Sequence, residues 1–215
     1  MAVTAKICGV TTPDAVAAVV AGGASHMGLN FYPPSPRYVT PSLAAALAAG
    51  TPPEVCRVGL FVDPDDDALE AVLDAVEIDL LQLHGDESIE RVAALRERFA
   101  VPVMKVIRVA GPADIALAGG FAEVADWLLF DARPPADMVG ALPGGNALSF
   151  DWRLIAGTSW PVPWMLSGGL ESSNLAEAVS VSGARLVDVS SGVEDRRGHK
   201  SPAMIKDFLA HVAGL

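Results

Sequence analysis

Residues able to move protons or grip anions recur where this chain's short apolar runs end. In KICGVTTPDA, Cys8 closes the run Val3–Cys8 and is followed by a glycine, two threonines and a proline. A thiolate so placed could act as base or nucleophile, although a lone cysteine is more often a small buried hydrophobe. His84 closes LLQLH, Asp131 closes DWLLFD, Asp63 follows GLFV, and Asp188 stands within RLVDVS. Carboxyl groups there could exchange protons with a ligand or merely cap the loops that follow. His84 could touch a ligand or bond to loop backbone. Arg37 lies in FYPPSPRYV among prolines that stiffen its loop. A guanidinium held on a stiff loop suits a carboxylate, because it presents two parallel donors.

Two further stretches combine small residues with glycine. SGGL places Gly168 and Gly169, and SSGVE places Ser190, Ser191 and Gly192, directly after apolar runs. Backbone N–H groups in such turns approach an anion closely, and glycine is required where a side chain would block the approach or where φ is positive. Both stretches read as phosphate-binding turns.

These residues need elements to hold them. Short runs rich in Val, Ile and Leu alternate with alanine-rich segments of helical period from one end of the chain to the other, which is the pattern of a parallel sheet. The strands are expected over Val3–Cys8, His26–Phe31, Cys56–Val62, Asp79–His84, Val101–Val109, Asp126–Asp131, Trp164–Ser167 and Arg185–Ser190. Helices fill the gaps, as in PDAVAAVVAG, DDDALEAVLDAV, ESIERVAALRERF, SSNLAEAVSVSG and PAMIKDFLAHVA. Pro13 and Asp14 open the first, and Ser172, Ser173 and Asn174 offer caps to the fourth.

Eight units in 215 residues predict a single-domain (β/α)8 barrel over residues 1–215, with a doubly wound open sheet as the competitor. In a barrel the βα loops gather at the C-terminal ends of the strands, where Cys8, Asn30, His84, Arg108, Asp131, Ser167 and Asp188 all fall. Cys56, at the start of its strand, belongs to the opposite rim, so a Cys8–Cys56 disulfide is not expected. His26, His199 and His211 read as ordinary surface or loop residues. The irregular stretch from Ala132 to Ser149 contains three prolines and three glycines and reads as a wall or lid of the site.

Composition narrows the ligand. A formal net charge of -11 argues against nucleic acid and anionic membranes, both of which are recruited by clustered Lys and Arg. An anionic ligand must then be held by local devices. No apolar run is long enough to cross a bilayer, and MAVTAKICGV lacks the form of a secretory leader, so a reducing, cytoplasmic location is expected. Clustered metal ligands are absent from the strand ends, and no metal is expected.

The ordered set KICGVT, GLNFYPPSPRYV, VGLFVD, LLQLHGDE, LLFDA, PGGNALSFDW, LSGGL, VDVSSGVE and GHKSP resembles the phosphoribosylanthranilate isomerase family of tryptophan biosynthesis over essentially the whole chain. The resemblance implies a (β/α)8 barrel that converts N-(5-phosphoribosyl)anthranilate to 1-(2-carboxyphenylamino)-1-deoxyribulose 5-phosphate, a cofactor-free Amadori rearrangement of a small phosphorylated substrate. It also implies Cys8 as general base, Asp131 as general acid and Arg37 on the anthranilate carboxylate. His84 and Asp188 join the substrate site, and Gly168, Gly169, Ser190, Ser191 and Gly192 form the phosphate turns. The family's glycine-rich segment usually ends in Gly where this chain has Ala147, which implies a stiffer loop.

The chemistry suits these residue types. A carboxylic acid can protonate the furanose oxygen, and the iminium formed on ring opening acidifies the neighbouring C–H enough for a thiolate of roughly ordinary pKa, about 8.5, to remove its proton. Gly9 would leave room for substrate beside the sulfur. Competing readings are another phosphosugar isomerase or epimerase, an aldolase using Lys105 inside the barrel, and a barrel that only binds a phosphorylated metabolite. Monomer and homodimer are both compatible with the pattern.

Overall fold

The computed structural model describes residues 2–135 and 137–215. Eight parallel strands close into a barrel in chain order. They are β1 (Thr4–Cys8), β2 (His26–Asn30), β3 (Cys56–Phe61), β4 (Leu80–Leu83), β5 (Val103–Val109), β6 (Trp127–Ala132), β7 (Trp164–Leu166) and β8 (Leu186–Val189). β1 pairs with both β2 and β8, with Lys6 opposite His26 on one side and Asp188 on the other. The closed barrel leaves no open sheet edge for the doubly wound alternative.

Among the described residues, seven α-helices surround it: α1 (Pro13–Ala21), α2 (Pro41–Ala49), α3 (Asp66–Leu73), α4 (Ile89–Phe99), α5 (Pro112–Ala122), α6 (Leu175–Ser182) and α7 (Pro202–Ala213). Their starts follow local chemistry. Thr12, Thr40, Asp65, Ser88 and Ser201 accept backbone N–H bonds as N-caps, and prolines open α1, α2, α5 and α7 where no N–H is needed. The expected pattern breaks between β6 and β7, where the described residues form no α-helix, only a 3-10 turn at Trp152–Leu154. Prolines and glycines crowd this stretch and cannot sustain a helix. The caps expected before α6 also differ. Asn174 makes no side-chain bond to the helix; it accepts from Glu171 N at 3.0 Å and donates to Gly169 O at 2.9 Å, bracing the SGGL turn.

Strand alternation divides the interior. One cluster inside the barrel contains Val58, Leu80, Met104, Val106, Leu129, Met165 and Leu186. Two residues further along β4, β6, β7 and β8, on the same inward face, come Gln82, Asp131, Ser167 and Asp188. The apolar plug thus gives way to a polar layer toward the C-terminal ends. Lys105 lies between inward Met104 and Val106, so it faces the helices, where Nζ meets Glu87 Oε2 at 2.6 Å and Gly85 O at 2.8 Å. That removes Lys105 as the interior lysine of an aldolase reading.

After β8, a 3-10 turn (Ser191–Val193) leads into an antiparallel hairpin, β9 (Glu194–Arg196) with β10 (His199–Lys200). Cys8 and Cys56 are both free, and Cys56 begins β3 on the opposite rim. His199 and His211 are on the surface beside Asp195 and Asp207. His26 is not a surface residue. It is buried at the start of β2, its ring edge-on to Trp127 at 5.6 Å, and burial, aided by Lys6, lowers its pKa to about 4. Among the described residues, no helix is long and apolar enough to cross a membrane.

Candidate active site

Alternation on β1 puts Lys6 and Cys8 on the same inward face, and both are buried. A buried ammonium needs a counter-charge. Asp188 supplies it across the β1–β8 ladder, with Nζ–Oδ1 at 2.8 Å, while Ser167 Oγ donates to Asp188 Oδ2 at 3.1 Å. Burial works against the Lys6 charge, but Asp188 and the adjacent Cys8 outweigh it and lift its pKa to about 12. For Cys8 the balance differs from the near-ordinary thiol expected from sequence. Burial pushes the thiol upward, opposed by the positive charge of Lys6. Gly28 makes the arrangement possible, since a Cβ there would sit 3.0 Å from Cys8 Sγ and 3.3 Å from Lys6 Cε.

Cys8, Arg37, His84, Asp131 and Asp188 line one cavity at the C-terminal ends of the strands, together with both small-residue turns. Asp131 is buried at the end of β6, and its Oδ1 accepts from Ala132 N at 2.9 Å. His84 Nε2 lies 3.2 Å from Asp131 Oδ2, but its alignment does not make a hydrogen bond, and this nitrogen is buried without a hydrogen-bond partner among the described residues. On the other side of the ring, Nδ1 lies 3.2 Å from Gln82 Nε2.

The irregular stretch after β6 forms the wall. Leu142 to Leu148 line the cavity, and the two glycines fall where the chain passes closest to the reactive groups. A Cβ on Gly144 would lie 2.4 Å from His84 Cε1 and 2.6 Å from Asp131 Oδ2, and one on Gly145 would lie 2.5 Å from Arg37 Nη1. Any side chain at either position would displace the groups beneath. Ala147 stands where the family pattern has glycine and adopts φ 57, a left-handed backbone that is costly for alanine.

Gly168 and Gly169 line the cavity with positive φ of 94 and 61, as the anion-turn reading requires. Ser190 and Ser191 line it too. Ser190 Oγ is committed to Cys8 O at 3.1 Å, so this residue offers backbone rather than hydroxyl. Gly192 is outside the lining; its α-hydrogen side is pressed on the Leu170 carbonyl, which a Cβ would approach to 2.0 Å.

Arg37 is buried and only partly free. Its Nε and Nη2 engage Glu194 at 2.7 and 3.0 Å, and Nη2 also reaches Gly145 O at 3.2 Å, leaving the Nη1 side for a ligand. The room made by Gly9 is filled by the Arg37 side chain, whose Cδ would be 2.7 Å from a Cβ there, rather than kept for substrate. The sequence reading missed Lys6, Glu194 and Lys200. Lys6 was detectable, because an inward Cys8 forces an inward Lys6 two residues earlier.

The matches to known proteins agree with this geometry. Residues 5–211 match the family model described as N-(5'phosphoribosyl)anthranilate (PRA) isomerase. The chain is 59% identical to the N-(5'-phosphoribosyl)anthranilate isomerase of Rhodospirillum centenum, with both chains covered completely. It is 53% identical to that of Paramagnetospirillum magneticum, covering 100% of this chain and 99% of the relative. Among solved structures, phosphoribosyl anthranilate isomerase from Thermotoga maritima superposes with a TM-score of 0.86 at 34% identity, covering 99% of this chain and all of the other. A phosphoribosyl anthranilate isomerase in complex with reduced 1-(o-carboxyphenylamino)-1-deoxyribulose 5-phosphate superposes with a TM-score of 0.81 at 32% identity over the same shares. With a barrel whose polar layer carries the motif residues and with full-length likeness at this level, the chain belongs to the N-(5'-phosphoribosyl)anthranilate isomerase family.

Proposed function

We propose that this protein is an isomerase that carries out the Amadori rearrangement of N-(5-phosphoribosyl)anthranilate to 1-(2-carboxyphenylamino)-1-deoxyribulose 5-phosphate, in tryptophan biosynthesis, in the cytoplasm and without a cofactor. The observation that carries the reading is one cavity lined by a cysteine, an aspartic acid, an arginine and two glycine-bearing turns.

The roles follow from the chemistry. Asp131 gives a proton to the furanose ring oxygen as the C1–O bond breaks, and the nitrogen lone pair forms the C1=N iminium. The thiolate of Cys8 then takes the proton from C2, leaving an enolamine that tautomerises to the C2 ketone. Lys6 stands beside the sulfur and stabilises negative charge on it. Gly168, Gly169, Ser190 and Ser191 offer backbone to the phosphate, with Gly192 holding the second turn against Leu170, and Arg37 receives the carboxylate through Nη1. His84 and Asp188 complete the substrate site. Holding both ends keeps the open-chain intermediate beside the acid and base. This explains how a chain of net charge -11 accepts a polyanion, since the positive groups are local.

The deciding experiment is turnover of freshly generated phosphoribosylanthranilate, followed as loss of its fluorescence. Steady conversion to the ketone product is expected. Binding of the reduced product analogue with no turnover would instead mark a barrel that only holds a phosphorylated metabolite.

A further inference from the structure

We infer that Glu194 is a positioning residue which fixes the distance between the two anion-receiving ends of the cavity, by clamping Arg37 and, through Lys200, the Ser190 turn. This rests on the roles proposed above for Arg37 and the turn.

Glu194 is the first residue of β9, and its carboxylate is fully used. Oε1 accepts from Arg37 Nε at 2.7 Å and from Lys200 Nζ at 2.5 Å; Oε2 accepts from Arg37 Nη2 at 3.0 Å and from Gly198 N at 3.0 Å. Lys200 Nζ passes the connection on, donating to Ser190 O at 3.0 Å and to Ser190 Oγ at 3.2 Å. All three charged side chains are buried, with exposures of 4%, 4% and 0% for Arg37, Glu194 and Lys200. Two cations and one anion leave the cluster with a surplus positive charge between the places proposed for carboxylate and phosphate.

A bidentate carboxylate grips one edge of a guanidinium and so dictates which edge faces outward. Released from Glu194, Arg37 could turn its fork elsewhere, and Lys200 would lose the partner that aims it at Ser190. The hairpin of β9 and β10 lies outside the barrel order, and pairing Lys200 with Glu194 across it brings both ends of the clamp together. A rigid spacing favours a ligand whose two charges match it, which is a specificity device more than a chemical one.

The test uses the intact enzyme. Glu194→Gln should raise KM by on the order of 10- to 100-fold, the scale of losing one partner of a buried charge pair, with kcat changed by less than about threefold, as expected for uniform binding loss. The reduced product analogue, titrated by calorimetry, should weaken by the same factor. In an Arg37→Met background the same substitution should cost clearly less than in the unmodified enzyme, because the route through Arg37 is already cut and only the Lys200–Ser190 route remains. Unchanged KM, a loss confined to kcat, or full additivity with Arg37→Met would overturn the inference. If Glu194→Gln does not fold, Glu194→Gln/Lys200→Met removes one charge of each sign and carries the same expectation; failure of that variant to fold would make the cluster structural and also overturn it. Absence of turnover in the unmodified enzyme would reject the proposed function, whereas the analogue titration still decides the role of Glu194.

Discussion

Lys6 and Asp188 face each other in the register of the first and last barrel strands, joined at 2.8 Å beneath Cys8, with Lys6 wholly buried. Because burial raises the thiol and Lys6 opposes the rise, removing the ammonium should push the thiol further up. In Lys6→Met, the pH midpoint for alkylation of Cys8 by iodoacetamide should move upward by about one unit or more, a tenfold loss of thiolate at fixed pH. The acidic limb of kcat/KM should move with it. Lys6→Met/Asp188→Asn, which leaves no buried unpaired charge, checks the same shift if the single variant is unstable. A midpoint that stays in place would separate Lys6 from the sulfur's chemistry.

Removing either proton-transfer group should cost far more than removing a binding group. Cys8→Ala and Asp131→Ala are expected to lower kcat by roughly 10²- to 10⁴-fold, with the reduced product analogue still binding and the circular dichroism unchanged. Near-normal turnover in the Cys8 variant would dismiss it as the base.

Gly28→Ala tests the packing beneath the site. Its new methyl would press on Cys8 Sγ, Cys8 Cα and Lys6 Cε, all within 3.3 Å. Overpacking of this kind costs about 1–3 kcal/mol, and denaturant unfolding should show it, together with a fall in kcat as the sulfur is displaced.

Ala147→Gly should be stabilising. Relief of a left-handed alanine at φ 57 gives back roughly 1 kcal/mol, partly offset by the greater freedom of glycine when unfolded. A small rise in Tm with KM essentially unchanged is expected; a fall in Tm would mean that the alanine methyl makes a compensating contact.

The Glu194 cluster has its own pH dependence. Burial opposes the Glu194 charge, but bonds from Arg37 and Lys200 outweigh it and hold the carboxyl at about 2, against an ordinary 4.5. With the folded value below the unfolded one, its contribution is complete above pH 4.5 and is lost as pH falls toward 2. Lys200 tells the opposite story: burial, opposed by Glu194, pulls it down to about 8 from 10.5. Glu194→Gln/Lys200→Met leaves Arg37 buried without its carboxylate, so it should melt below the unmodified protein at pH 7 yet lose less stability between pH 4.5 and 2, measured by thermal unfolding across that range.

The barrel was legible because its signal is distributed. Each strand repeats the same apolar run, and each closing polar residue marks the same rim, so small errors at the ends, such as Phe31 or Val62 lying just beyond their strands, did not disturb the architecture. Cys8, Asp131 and the two turns were legible for the same reason. Glu194 and Lys200 were not, because they act through a hairpin outside the repeat, and a sequence gives no distance from such a hairpin back to Arg37. His26 was misread because its burial comes from Trp127 on β6, across the barrel from β2, which a strand start read in isolation does not reveal.

The joining of β1 to β8 has a consequence for how activity arises as the chain is made. Lys6 and Asp188 are separated by 182 positions, and so are Cys8 and Ser190, which meet at 3.1 Å. Synthesis from the N-terminus produces Cys8 first and its surroundings last. Until the eighth strand docks, Lys6 has no Asp188 beside it and Cys8 has no neighbouring turn, so the site is incomplete. Ring closure and assembly of the site are then one event.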